Sequence, residues 1–553
     1  MKAALAAVAL FSCATAGEKT ANPAAASRAA VATSSASGAP AGVAAEDGGT
    51  AVTAIAGSAP LPGEEVLEQQ PALSPLGDFK APAPALTTLP NGLRVYLVSQ
   101  PGAALETVAL VVKRGATSDP EGRAGLASLA AVMLEAGAGG KSQAEIAAAA
   151  DALGASLRAS AATDATSIAV SGLPLHTDEM VALLAEVALH PNLDAAEFRK
   201  AQTQRVAELQ AQQAEPRVAA GLAFASALYG DSPLGRPALG TPASVQAITL
   251  ADVKGFIAGY APAESALVAV GGASPQVLQA ALDKEFAGWG GTNVKKRATG
   301  KRAGEKPGVK AMHEPAIAQP PSLLDAGRLR ALPASERPRL VFVDFKGRPQ
   351  TVLRVGLPAV PRSSPEVMAL RLLNSVLGGS FTSRLNQNLR ELHGYTYGAA
   401  SNFAFGRGPG PFAAQSSVKT KETGPALSEM LKEIARAAAE PLSDAELQKG
   451  KALLAYGLVE QLEHADRTAA ALAEMFVDDL PIDEIATFVP RLRALTAADV
   501  LAAARARLKP DELTIVLAGD EAVVLPQLAA AGLQLPAPEQ RDALGQKIEG
   551  AAK

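Results

Sequence analysis

Two stretches far apart in the chain carry the same order of features. ITLADVKGFIAGYAPAESALVAVGG, residues 248–272, and LTAADVLAAARARLKPDELTIVLAGD, residues 495–520, both run cap, helix, Pro-containing loop, strand and turn. Thr249 and Asp252 match Thr496 and Asp499, and Glu264 and Gly272 match Glu512 and Asp520, the offset shifting by one residue in the loop. A repeat of this length implies two copies of one unit. Strands and helices are interspersed without the regular alternation of a doubly wound sheet, so the class expected is α+β.

Length agrees with a duplicated body, because 553 residues exceed what one ordinary core accommodates. Ala dominates and favours helices. The formal charge of −4 gives no reason to expect nucleic acid as a partner. His176, His190, His313, His393 and His464 are the five histidines, and no two stand at helical metal-ligand spacing. Cys13 is the sole cysteine, which excludes an internal disulfide.

The first residues, MKAALAAVALFSC, have one Lys and a short apolar run from Ala3 to Phe11. That run is too short to span a bilayer and suits a signal-peptide core. LFSC resembles the lipobox of bacterial lipoproteins, so residues 1–13 are expected to be a signal peptide with a lipobox, whose Cys13 is lipidated and becomes the first residue of the mature chain. Ala14-Thr15-Ala16 offers a competing cleavage site for an ordinary signal peptidase. Both readings export the protein, and lipidation anchors it by acyl chains alone. The expected location is the periplasm or the outer membrane.

Residues 14–84 are rich in Ala, Gly, Ser, Thr and Pro and read as a flexible tether. A first unit over 85–290 opens with strands in RVYLV and ETVALVVKRG. Helices are expected over Gly125–Glu135, Gln143–Leu153, Thr177–Leu189, Ala195–Ala214 and Leu250–Tyr260, with a closing strand over Glu264–Gly272. Residues 291–338 include KKRATGKRAGEKPGVK and read as a solvated basic linker, because no aromatics are interleaved. The second unit spans 339–530, and 531–553 read as a tail.

LGGSFTSRLNQNLRELHGYTYGAASNF, Leu377–Phe403, has two glycines that break a helix and Ser380 or Thr382 to cap the next, which ends at Gly394. Arg390 falls in its last turn and Tyr397 opens the following strand. Guanidinium and phenol across a turn can both donate to one peptide carbonyl or oxyanion. On chemistry alone a packing role is the commoner one for both.

The stretch is similar to the arginine-tyrosine motif LGGxxxSRLxxxLREKxGLxY of the insulinase-like (M16) zinc metallopeptidases, the pitrilysin and mitochondrial processing peptidase family. Gly378, Gly379, Ser383, Arg384, Leu385, Leu389, Arg390, Glu391, Gly394 and Tyr397 fall in place. YGDSPLGRPALGT, Tyr229–Thr241, resembles that family's HPYGRPxxGT. The resemblance runs from about Leu89 to Asp520. It implies two homologous processing-peptidase-like units (the LuxS/MPP-like fold) that form a clamshell.

Active members of that family carry GLAHFLEHMLF after a turn like SDPEGRA. Two histidines one turn apart bind zinc, and the intervening glutamate polarises the metal-bound water. Aligned on Gly125-Leu126-Ala127, this chain has Ser128 for the first histidine, Ala131 for the glutamate and Val132 for the second histidine. Glu208 in RVAELQAQQ matches the distal carboxylate ligand and is expected to be solvated or locally paired. The resemblance therefore implies no zinc in this chain and no catalysis by it alone. Ser128 as a nucleophile, or Glu135 as a base, has no histidine nearby in sequence.

What the resemblance implies is a non-catalytic subunit. An HxxEH-bearing M16 partner would hold the zinc, and Arg390 and Tyr397 would bind a peptide or unfolded segment. The rival expectation is a structural or binding lipoprotein of the envelope on a peptidase scaffold, as in the core subunits of the cytochrome bc1 complex, where both residues are relics of packing.

Overall fold

A computed structural model describes residues 77, 79–290 and 328–548. Cys13, the signal peptide, nearly all of the expected tether and positions 291–327 of the basic linker lie outside the described residues.

Each half is built on a six-stranded mixed sheet. In the first half the order is Ala85–Thr88, Arg94–Ser99, Ser265–Gly271, Glu106–Val112, Thr166–Gly172 and Ser156–Ala161. In the second half it is Glu539–Gln540, Leu340–Asp344, Thr514–Gly519, Gln350–Pro358, Pro411–Lys419 and Thr396–Phe403. Arg94–Ser99 runs parallel to Ser265–Gly271, as Leu340–Asp344 does to Thr514–Gly519, and the strand that follows each of these pairs is antiparallel. The duplication seen in sequence is thus a duplication of topology. Its matched caps coincide: Thr249 with Asp252, and Thr496 with Asp499, form reciprocal capping boxes at the starts of Leu250–Ala258 and Ala497–Arg507.

The halves are joined by an exchange of helices. Pro216–Tyr229, from the first half, lies across the second sheet; Ala219, Ala220, Ala223, Phe224 and Ala227 pack with Val341, Val343, Val516 and Ala518. Ala465–Val477, from the second half, lies across the first sheet, burying Leu472, Met475 and Phe476 among Tyr96, Val98, Val268 and Val270. Neither sheet can bury both faces with its own helices, so each half completes the other's core. Gly356 is required at this seam, because a Cβ there would stand 2.9 Å from Phe224 Cζ and 1.9 Å from the Phe412 carbonyl oxygen.

Three details depart from expectation. The helix expected over Ala195–Ala214 ends at Gln212, and Pro216 starts a separate helix that sequence reading misses, because more than half of its buried residues are Ala. The cap of Arg384–Asn386 is Ser383, not Ser380 or Thr382, and its own hydroxyl makes no capping bond. Residues 531–548 are no loose tail: Glu539–Gln540 extends the second sheet, and Arg541 is buried against Ser226.

Candidate functional site

The helix Leu126–Glu135 begins at Gly125, whose φ of 95° lies in the left-handed region. A Cβ at Gly125 would stand 2.7 Å from the Leu239 carbonyl oxygen, so the turn SDPEGRA and the loop YGDSPLGRPALGT can meet only across a glycine. Asp119 takes the N–H groups of Gly125 and Ala127, each at 2.8 Å, and Arg236 Nη1 donates to the Asp119 carbonyl at 3.1 Å. Burial pushes the Asp119 carboxyl up to about 6, against the opposing pull of those N–H donors and of Arg236.

Ser128 is the third residue of this helix and is 8% exposed. Its Oγ accepts from Arg205 Nη1 at 2.8 Å, across to the helix Ala195–Gln212. Arg205 Nε pairs with Glu208 Oε2 at 3.2 Å, and Gln204 Nε2 donates to Glu208 Oε1 at 2.9 Å. Ala131 is buried, and Val132 is 38% exposed. Glu135 accepts the backbone N–H of Ala159, and burial raises its pKa.

These residues do not fit zinc. A hydroxyl, a methyl and an isopropyl group occupy the three helix positions, and both oxygens of the remaining carboxylate are engaged by protein donors. Among the described residues no group of three or more His, Cys, Asp or Glu could hold a metal ion. Nor is Ser128 poised as a nucleophile, since its partner is a guanidinium, which cannot accept its proton.

The second group is built on Gln387–Leu392, a π-helical turn that carries Arg390. The Arg390 guanidinium lies 4.4 Å from the ring centroid of Phe381, and its Nε is 3.4 Å from Glu391 Oε1. Tyr397 stands at an irregularity of the edge strand Thr396–Phe403, where the register against Pro411–Lys419 shifts between Thr396 and Ala399. The backbone there is pinned: Thr396 Oγ1 donates to Ser417 O at 2.8 Å and accepts from Gly398 N at 3.1 Å, while Asn386 Oδ1 accepts from Ala399 N at 2.8 Å. The Tyr397 side chain is 90% exposed and has no hydrogen-bond partner among the described residues. Arg390 and Tyr397 are not bonded to each other. A fixed backbone thus presents an uncommitted phenol, and an adjacent turn presents a guanidinium resting on an exposed ring.

Sequence reasoning missed Arg205 and Phe381. Arg205 precedes Glu208 by three helical positions, a readable signal for their pairing, but nothing local points to Ser128, on another helix.

Comparison with known proteins agrees with the two-domain fold. Residues 94–242 match the family described as insulinase (peptidase family M16), and 247–454 match the peptidase M16 inactive domain. An uncharacterized zinc protease of Mycobacterium tuberculosis is 27% identical over 444 residues, 79% of this chain and 93% of that protein. The peptidase M16 inactive domain from Pseudomonas fluorescens superposes with a TM-score of 0.67 at 24% identity, covering 79% of this chain and 98% of that one. A protease from Helicobacter pylori gives the same TM-score at 19% identity, covering 79% and 100%. The halves that the helix exchange locks together are two M16-type domains, and the chain belongs to the insulinase-like M16 peptidase family.

Proposed function

We propose that this chain is the non-catalytic subunit of an M16-type peptidase, paired with an HxxEH-bearing partner, and that Arg390 and Tyr397 bind the backbone of a peptide substrate. The observation that carries the reading is an asymmetry: the metal-site positions are occupied by a self-satisfied Ser128–Arg205–Glu208 contact, while Tyr397 is left 90% exposed on a pinned backbone. The exposed Tyr397 phenol has no intramolecular hydrogen-bond partner among the described residues, so its O–H is free to donate to a ligand. Two donors near one peptide carbonyl hold it in register and stabilise negative charge as it develops. The partner's metal centre supplies the activated water; this chain binds and orients.

The substrate class is a peptide or an unfolded segment, enclosed against the partner. In this reading the N-terminal lipobox exports the chain and anchors it at Cys13, in the periplasm or on the outer membrane; no helix among the described residues is long and apolar enough to cross a membrane. The test is co-purification with an HxxEH-bearing paralogue and a peptide-cleavage assay with Arg390→Ala. A lower rate in an intact complex supports substrate binding; an unchanged rate favours a purely structural envelope role.

A further inference from the structure

The Ser128 contact implies more than the loss of a metal. We infer that the Arg205 guanidinium is the resident cation of the erased metal site, tying its two helices together and keeping divalent ions out. Three observations converge. Arg205 reaches from Ala195–Gln212 to Ser128 on Leu126–Glu135, with Nη1 2.8 Å from the hydroxyl that stands where the first histidine would. Its Nε lies 3.2 Å from Glu208, the carboxylate at the distal ligand position. Its side chain is only 16% exposed, so the charge is fixed between the helices rather than waving in solvent.

The charge logic follows. A carboxylate left facing an empty metal position would be a solvated anion with some affinity for divalent ions. With Arg205 beside it, that charge is neutralised from within the chain. A divalent ion approaching Glu208 would meet a guanidinium already on one oxygen and would have to displace it, against like-charge repulsion. The site is therefore closed to metal by occupation as well as by lost ligands. In an envelope shared with a zinc-dependent partner, such a subunit does not compete for the ion.

The experiment reads metal content and needs no peptidase assay, so it stands apart from the Arg390 test. The purified full chain and two variants are equilibrated with zinc ion, freed of excess by gel filtration, and analysed for metal. S128H/A131E/V132H restores the imidazoles and carboxylate but keeps Arg205; the second variant adds R205A. About one equivalent is expected only when Arg205 is also removed, with at least a fivefold lower content when it is kept. Full loading with Arg205 present, or no loading in a folded variant without it, overturns the inference. Should the fourfold variant not fold, melting of single substitutions decides: R205M should lower the midpoint by several degrees and R205K by less. An unchanged midpoint in R205M also overturns it.

Discussion

Arg384 and Glu446 form a two-point ion pair, Nε to Oε1 at 2.7 Å and Nη2 to Oε2 at 2.9 Å. Arg384 belongs to the same sequence motif as Arg390, yet it faces inward, with 8% of its side chain exposed, and joins the motif helix to Asp444–Leu462. The pair, together with the Ser443 cap, holds the Glu446 carboxyl down to about 2. Arg384→Ala should therefore act on stability, costing about 2 kcal/mol because a partly buried carboxylate loses its partner. Denaturant unfolding checks this. The contribution is present above the ordinary glutamate value and lost as pH falls through about 4 towards 2, so the variant and native curves should converge in acid.

The seam between halves should make the protein more stable in mild acid than in mild base. Burial, with Asp164 and Glu474 nearby, pushes Asp478 up to about 7 against the pull of Arg362 and Arg407, and within the first half burial likewise pushes Asp119 up to about 6. A carboxyl raised in the folded state binds more protons folded than unfolded, so stability is highest near pH 4 and declines as pH rises through 7. Melting temperature followed from pH 5 to 8 should fall. Asp478→Asn should raise the midpoint at pH 8 and change it little at pH 5; a drop at pH 8 would mean that the ionised form is the stabilised one.

In a complex with an HxxEH-bearing partner, Tyr397→Phe and Arg390→Ala should each lower peptide cleavage by roughly 100- to 1,000-fold, the scale of losing one donor to a developing oxyanion. Melting of Tyr397→Phe should match the native chain, because the phenol is exposed and unpartnered. Loss of activity together with loss of stability would point to a packing role instead.

Exchange of the helices Pro216–Tyr229 and Ala465–Val477 predicts one cooperative calorimetric transition for both halves. Phe224→Ala empties a site that is 1% exposed against the opposite sheet, and should cost about 3–5 kcal/mol and shift the whole transition. Two resolved transitions would show that the halves fold as separate units.

Much of the architecture was legible because it rests on local chemistry. Thr249 with Asp252 and Thr496 with Asp499 close their capping boxes within three residues, and Thr177–Leu189 was delimited correctly by its apolar spacing. The helix Pro216–Tyr229 was missed because alanine carries little periodic contrast, and its burial depends on a sheet built more than a hundred residues later.

By itself the sequence determined that an α+β unit occurs twice and that Ser128, Ala131 and Val132 lack metal-binding and proton-accepting groups, since side-chain identity and short-range capping need no partner from afar. Only the tertiary structure decided that Arg205 reaches across to Ser128, that Tyr397 stands exposed at a register shift of a pinned edge strand, and that each half roofs the other's sheet. These relations depend on contacts between groups remote in the chain, whose distances are set by packing and not by spacing along it.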